Sequence, residues 1–286
     1  MNGATDRQGI TLACCGLLGT LVADEGIIER SFAEAIATQG VVAGTSAFAR
    51  RMAQVHQARG QAPGDVMRLL FPDNEARAQA AQLAFDRALP DAIGRSVIRP
   101  LPGAREVLDG LRAAGCQVCV LTSMTRRVLD LVLDAAGLRC RVDLTLAAED
   151  APRGFPAPDL VLTAIVRTGA GAVHDVAVVH GTGAGVEAGR RSSAGVVVGV
   201  LTGPHSPARL RAAGATSILP SIADLPGLLG DGVAVPAATG PAATAPVATA
   251  AGGADPTGLN VPAQSPQSAR GPQPAQSPQQ PRALGR

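Results

Sequence analysis

The chain has 286 residues, of which 46% are apolar and 17% charged, and its formal net charge is +2. This length and apolar content are sufficient for one or two domains with a hydrophobic core, which argues against a fibrous or wholly disordered protein. The balanced charge argues against nucleic acid or an anionic membrane as the partner and favours small-molecule chemistry.

The first apolar segment, Ile10–Ala23, predicts a buried strand, Thr11–Cys15, followed by a loop. A short signal peptide is the alternative, because Arg7 precedes the apolar run. Asp6 beside that arginine, and a run too short to span a bilayer, favour the strand. We therefore expect no membrane segment here.

The next segment, residues 25–91, has no strand pattern but a strong helical periodicity. Gly60, Pro63, Pro72 and Pro90 divide it. The predicted helices are Ile28–Thr38, Ala47–Arg59, Val66–Leu70 and Glu75–Ala88. This pattern indicates a helical cap domain inserted after the first strand, placed to enclose a small substrate at the carboxyl edge of a sheet.

Beyond the cap, short apolar strands alternate with amphipathic helices, which is typical of βα units around a parallel sheet. We predict that residues 1–24 and 92–230 form an α/β core with a Rossmann-like parallel sheet. The other predicted strands are Gln117–Leu121, Leu144–Leu146, Val176–Val179, Val196–Val200 and Ser217–Leu219. The predicted helices are Ala104–Ala114, Arg126–Ala136, Pro158–Arg167, Gly185–Ser192, Pro207–Ala213 and Ile222–Leu229.

The five cysteines are odd in number and lie mostly in apolar runs, so we expect a reduced, cytoplasmic setting. Cys116 and Cys119 have C-x-x-C spacing, which is also found in redox and metal sites. Positions three apart on a strand point to opposite faces, however, which favours buried strand cysteines.

The last segment, residues 231–286, is rich in Ala, Pro, Gly, Gln, Ser and Thr and has few large apolar side chains. It cannot bury enough surface to offset chain entropy, so we predict a disordered tail. The prolines could also present a polyproline-II ligand to a protein partner.

The first strand and its loop carry a recognisable motif. The run Leu12–Val22 reads LACCGLLGTLV and resembles the first motif of the haloacid dehalogenase superfamily, an apolar strand ending in D-x-D-G-T. The phosphonoacetaldehyde hydrolase branch has D-x-A-G-T. Thr20 matches the motif, whereas Gly16 and Leu18 occupy the two aspartate positions.

The resemblance implies that the first aspartate is a nucleophile and Mg²⁺ ligand and that the second is a general acid and base. Glycine and leucine can do neither. The branch with alanine at the second position relies on a cap lysine that forms a Schiff base. All 25 basic residues of this chain are arginine, so it offers none.

The second and third motifs of the superfamily also have counterparts. The strand ending in Thr122 and Ser123 resembles the second motif, which implies a hydrogen bond from Thr122 to a phosphate oxygen, although Thr122 could instead cap the following helix. Gly154–Asp159 resembles the third motif, with Phe155 at the position of the expected cation. Arg153 could reach inward in its place or remain a solvated loop residue.

The fourth motif, an apolar strand followed by G-D-T-x-x-D in the superfamily, resembles the run Val176–Gly189. Gly181 and Gly185 stand at its two acidic positions, and Thr182 is retained. Mg²⁺ prefers carboxylate oxygens, so the resemblance implies a magnesium site whose ligands are missing, and we expect no cofactor. His180 could act as an acid, base or metal ligand, or be structural. The glycine spacing also permits a nucleotide loop, but it differs from G-x-G-x-x-G.

These observations lead to three hypotheses. The first is a non-catalytic member, a pseudoenzyme, in which no catalytic residue is intact and which binds a small phosphorylated or anionic molecule. Its binding residues would be Thr20, Thr122, Ser123, Arg153 and Thr182. The second is an active phosphatase-like or phosphonatase-like hydrolase that uses other residues, and the third is a protein that binds a partner through its tail. If the motif assignment is right, five positions converge on one cleft: Gly16, Thr122, Phe155, Gly181 and Gly185.

Overall fold

The computed structural model describes residues 9–230 and contains a six-stranded parallel sheet. Residues 231–286, for which the sequence predicts a disordered tail, lie outside the described residues. The strands are β1 Leu12–Gly16, β2 Gln117–Leu121, β3 Leu144–Leu146, β4 Val176–His180, β5 Val196–Val200 and β6 Ser217–Leu219. Each begins and ends within one residue of its predicted position.

The strand order is β3-β2-β1-β4-β5-β6, and every neighbouring pair is parallel. The chain therefore moves outward in one direction from β1 and then in the other, which is the doubly wound α/β arrangement that the sequence predicted. In such sheets ligands bind outside the carboxyl ends of the strands, at the point where the order reverses. Here that point lies between β1 and β4.

Ten helices accompany the strands within residues 9–230. They are α1 Ile27–Ala37, α2 Ser46–Ala58, α3 Pro63–Leu70, α4 Glu75–Gly94, α5 Ala104–Ala113, α6 Arg126–Ala136, α7 Asp159–Thr168, α8 Gly183–Arg191, α9 Pro207–Ala212 and α10 Leu225–Leu229. Short 3₁₀ turns lie in several connections. No helix of this part of the chain has the length and apolar character needed to cross a membrane.

One predicted helix end was wrong. Pro90 does not end α4, which continues to Gly94. Proline has no backbone N–H and therefore removes one hydrogen bond inside the helix. The last turn is nevertheless held in the core by the buried side chains of Leu89 and Ile93, and this packing outweighs the local preference.

The two faces of the sheet have separate cores. The larger one contains Cys116 and extends into helices α1 to α4, while the smaller one contains Cys14 and Cys119 and packs against α7 and α8. Cys116 and Cys119 therefore lie on opposite faces, as predicted, and all five cysteines are free thiols.

Helices α1 to α4, residues 27–94, form one helical insert between β1 and α5. Its turn between α2 and α3 reaches the carboxyl edge of the sheet. At this turn Ser123 Oγ, just after β2, donates a hydrogen bond of 2.8 Å to the Gly60 carbonyl. The insert therefore covers the edge at which the predicted motif positions lie.

Candidate functional site

A small cavity lies at the carboxyl ends of β1, β2 and β4, beneath the helical insert. Its volume is about 30 Å³. Twelve of the described residues line it, and none of them carries a carboxylate. They are Leu17, Leu18, Ile28, Arg59, Gly60, Leu121, Thr122, Ser123, Met124, Phe155, His180 and Thr182.

His180, the last residue of β4, lies at the centre of this site and is 6% exposed. A β-carbon built on Gly16 would lie 2.8 Å from His180 Nε2 and 2.7 Å from Thr20 Oγ1. One built on Gly185 would lie 2.6 Å from His180 Nδ1 and closer still to the ring carbons. The imidazole thus fills the space into which side chains at positions 16 and 185 would project.

Gly181 is confined in a similar way by backbone. A β-carbon at this position would lie 2.5 Å from the Gly19 carbonyl oxygen and 2.8 Å from Gly203 Cα, in the loop after β5. No side chain fits in that space without a shift of one of the two loops. The structure therefore brings Gly16, Gly181 and Gly185 together around one centre, as the motif assignment requires.

Phe155 packs directly on this centre. Its side chain is buried, and its ring meets the His180 ring edge-on with the ring centroids 5.2 Å apart. Arg153 lies elsewhere, because its Nε and Nη2 bind the two Asp159 carboxylate oxygens at 3.0 and 2.9 Å, and its side chain is 70% exposed. It borders a larger, open cleft between the insert and the β3–α7 connection.

Two of the predicted binding hydroxyls accept hydrogen bonds from backbone N–H groups. Thr20 Oγ1 accepts a 2.9 Å hydrogen bond from the Gly181 N–H, which joins the β1 loop to the end of β4. Thr122 Oγ1 accepts one of 3.1 Å from the Met124 N–H. Thr122 therefore supports the turn after β2, whereas Thr125 is the residue that precedes α6.

Thr182 begins α8. Its Oγ1 accepts a hydrogen bond from the Gly185 N–H at 3.3 Å and lies 3.0 Å from His180 Nδ1. The Thr182 N–H also donates to His180 Nδ1 at 3.1 Å. Because Nδ1 accepts from the backbone, the neutral ring carries its proton on Nε2, on the side of the ring that faces Gly16.

Several hydrogen-bond donors around the cavity have no acceptor among residues 9–230. They are the backbone N–H groups of Leu17, Leu18 and Ser123 and the Nε2–H of His180. Thr122 Oγ1 accepts from Met124 and retains its own hydroxyl proton. The cavity therefore has several free donors among mostly apolar walls, and no acidic side chain lines it.

Burial keeps the central histidine neutral. It lowers the pKa of His180 to about 4, and the nearby His205 adds to this shift. Burial also lowers the pKa of His205 to about 4. His205 accepts a 2.7 Å hydrogen bond from the Gly183 N–H through Nδ1, and its Nε2 lies 3.1 Å from the His56 carbonyl oxygen of the insert.

Arg59 was not predicted from the sequence as a site residue. It immediately follows α2, and its side chain is only 3% exposed. Its guanidinium forms ion pairs with Asp24 and, at 3.1 Å, with Glu29. Nothing in the local pattern distinguishes it from a helix-ending arginine, because only the position of the insert over the sheet brings it to the cavity.

Comparison with known proteins places this site in context. Residues 14–193, more than half of the chain, match the family model described as haloacid dehalogenase-like hydrolase. Phosphonoacetaldehyde hydrolase of Bordetella pertussis is 34% identical over 124 residues, 42% of this chain and 44% of that protein. The Bacteroides fragilis protein of the same name is 30% identical over 153 residues, 46% and 58% of the two chains. The chain spans about half the length of these curated relatives.

Solved structures support the same fold. A hydrolase from Pseudomonas syringae superposes with a TM-score of 0.67 at 24% identity, covering 76% of this chain and 97% of the other. A phosphonoacetaldehyde hydrolase-like protein from Oleispira antarctica gives 0.69 at 22% identity, covering 78% and 92%. At these identities the likeness concerns the fold alone.

Proposed function

The chain belongs to the haloacid dehalogenase-like hydrolase family, and we propose that it is a non-catalytic member whose cavity binds a small oxyanion. The observation that carries this proposal is the position of His180. Its imidazole fills the space that carboxylate side chains at positions 16 and 185 would need. The proposal therefore rests on occupied volume as well as on residue types.

The residues around the cavity do not fit the Mg²⁺ ion that the family resemblance implies. Mg²⁺ prefers oxygen ligands, usually including carboxylates, in near-octahedral geometry. The cavity lining offers hydroxyls and a neutral imidazole but no carboxylate. Within residues 9–230 no group of three or more His, Cys, Asp or Glu side chains could hold a metal ion.

The acid and base groups that hydrolysis needs also have no good substitute here. His180 has a pKa of about 4 and is neutral at pH 7, and its Nδ1 is held by the Thr182 N–H. Asp24 is paired with Arg59. Removing one group that stabilises a transition state typically costs about 10²–10³ in rate, and here several are replaced.

The cavity suits an oxyanion in both chemistry and size. Leu17, Leu18 and Ser123, whose backbone N–H groups have no acceptor among the described residues, line it together with His180. Such clustered backbone donors bind anions. A cavity of about 30 Å³ is at least twice the roughly 10–15 Å³ that one water molecule needs, which restricts the ligand to a small ion.

The alternative is an active hydrolase of phosphorylated or phosphonate small molecules that uses non-standard residues. Its support is the similarity to proteins named phosphonoacetaldehyde hydrolase. Such a protein would turn over a substrate at ordinary rates, whereas a binding protein would not. The two functions therefore separate on purified protein.

The test combines a turnover assay with a binding assay on the full chain. We expect no hydrolysis of p-nitrophenyl phosphate or phosphonoacetaldehyde with Mg²⁺ above that of Thr122→Ala, and measurable binding of inorganic phosphate by calorimetry. Thr122→Ala is the internal control, because residual activity unchanged by it comes from a contaminant. Mg²⁺-dependent turnover at ordinary rates that falls in Thr122→Ala would overturn the non-catalytic assignment, and absence of phosphate binding would overturn the assignment of the ligand.

A further inference from the structure

Arg59 is the one arginine among the twelve residues that line the cavity. The position at which the family resemblance implies a cation holds Phe155, whose ring packs on His180. Arg153, the neighbouring candidate, is bound to Asp159 and does not line the cavity. Within residues 9–230, the positive charge nearest to a ligand in this cavity therefore comes from the helical insert and not from the α/β core.

We propose that Arg59 is the cation that binds the oxyanion and that the bound oxyanion ties the helical insert to the sheet. This inference rests on the proposed function, because it assigns a further binding residue to the same cavity. Two terminal nitrogens of Arg59 are engaged by Glu29 and Asp24, but its Nε–H has no acceptor among the described residues. A hydrogen bond from an arginine to an anion is stronger than one between neutral groups.

The connection between ligand and insert follows from the turn that contains Arg59. Gly60, the next residue, has a φ of 93° and leaves no room for a β-carbon beside the Thr182 side chain, while its carbonyl accepts from Ser123. The turn therefore contacts residues at the ends of both β2 and β4. An anion held by Arg59 and by the Leu17 backbone adds a contact between insert and sheet at the same place.

Asp24 limits the affinity of this site. Its Oδ2 pairs with the Arg59 guanidinium, and its Oδ1 accepts a 3.3 Å hydrogen bond from the Ile28 N–H at the start of α1. The carboxylate both neutralises Arg59 and repels an incoming anion. Asn at position 24 keeps an oxygen for the helix start but removes this negative charge.

The experiment measures inorganic phosphate binding to the full chain and to three variants by calorimetry. We expect Arg59→Gln to weaken binding by about tenfold to a hundredfold, the loss typical of a hydrogen bond to a charged group. Asp24→Asn should strengthen it by about tenfold. Arg50→Gln, an exposed arginine in α2, is the matched control and should bind as the unmodified chain does.

Hydrogen exchange gives a second readout. Phosphate should slow exchange of the amides at residues 57–61 in the unmodified chain and in Arg50→Gln, but not in Arg59→Gln. Arg59→Gln leaves the Asp24 charge without its partner and can unfold the chain. In Asp24→Asn the Arg59 guanidinium keeps its ion pair with Glu29, and unchanged or weaker binding by that variant in its folded form overturns the inference.

The outcomes also separate this inference from the proposed function. If the unmodified chain binds phosphate and Arg59→Gln binds it equally well, the role of Arg59 is refuted and the anion site stands. If the unmodified chain does not bind phosphate, the anion site itself is refuted.

Discussion

Replacement of Gly185 by alanine gives a sharp test of how His180 occupies the site. In an exposed helix interior, Gly→Ala stabilises by about 1 kcal/mol, because alanine has the higher helix propensity. Gly185 lies inside α8, but the added methyl would be 2.6 Å from His180 Nδ1. The nearest ring carbons would be closer still to the methyl, whereas ordinary contact begins at 3.4 Å, so the ring must move by more than an ångström. We therefore expect Gly185→Ala to lower the free energy of unfolding instead of raising it.

The magnitude follows from what holds the ring. His180 Nδ1 accepts from the Thr182 N–H at 3.1 Å, and Phe155 packs edge-on against the imidazole. A shift of the ring weakens that hydrogen bond, which contributes about 1 kcal/mol, and overpacking of a core typically costs about 1–3 kcal/mol. Offset by the helix propensity, Gly185→Ala should destabilise by about 2 kcal/mol.

In a His180→Ala background the imidazole is absent, and the substitution at position 185 changes only the helix propensity. Gly185→Ala should then stabilise by up to about 1 kcal/mol, which gives a coupling of about 3 kcal/mol between the two positions. Urea unfolding of the four chains measures this coupling. Gly94→Ala is the control, because Gly94 ends α4 with nothing within 4 Å of an added methyl and should behave alike in both backgrounds. Equal destabilisation by Gly185→Ala in both backgrounds would refute the steric account.

Three other predictions concern pH, the inserted turn and the thiols. Because the pKa of His180 is lowered from 6.5 to about 4, the unfolded chain binds a proton more readily than the folded one between these values. This contribution to the free energy of unfolding is full above pH 6.5 and falls by about 3 kcal/mol as pH drops towards 4, so a urea-unfolding series that is flat over this window contradicts it. Gly60→Ala should lower the melting temperature more than Gly44→Ala does. Both glycines have positive φ, but only at Gly60 does the added methyl meet a side chain, 2.7 Å from Thr182 Cβ. A native-state thiol assay should detect one fast cysteine, Cys140, because the other four are buried, and a second fast thiol would show that the core opens.

The local pattern of the chain was sufficient to predict the architecture. Strand Gln117–Leu121 and helix Arg126–Ala136 have the predicted bounds because short apolar runs and amphipathic periodicity are local properties. Pro90 is the counterexample, since tertiary packing around Leu89 and Ile93 carries α4 past a residue that usually ends a helix. A predicted helix end is therefore wrong where residues distant in sequence supply the contacts that stabilise the last turn.

The site also contains residues that local motifs predict and residues that only the tertiary structure brings in. The motif order predicted that Gly16, Thr122, Phe155, Gly181 and Gly185 share one end of the sheet, because parallel strands bring their carboxyl ends together. Arg59 could not be predicted in this way, since it reaches the cavity only through the placement of the insert. Gly203, whose Cα blocks a side chain at position 181, could not be predicted either, because it reaches Gly181 only through the placement of the loop after β5.

The packing around His180 makes the motif positions depend on one another. A side chain at position 16 or 185 needs space that the imidazole fills, and one at position 181 meets the backbone of Gly203. Adding a single carboxylate therefore strains the core before it can supply any chemistry. Under the proposed function, the site is a close-packed alternative to a catalytic centre, and its cavity provides N–H donors and Arg59 where the family resemblance implies a nucleophile and a metal.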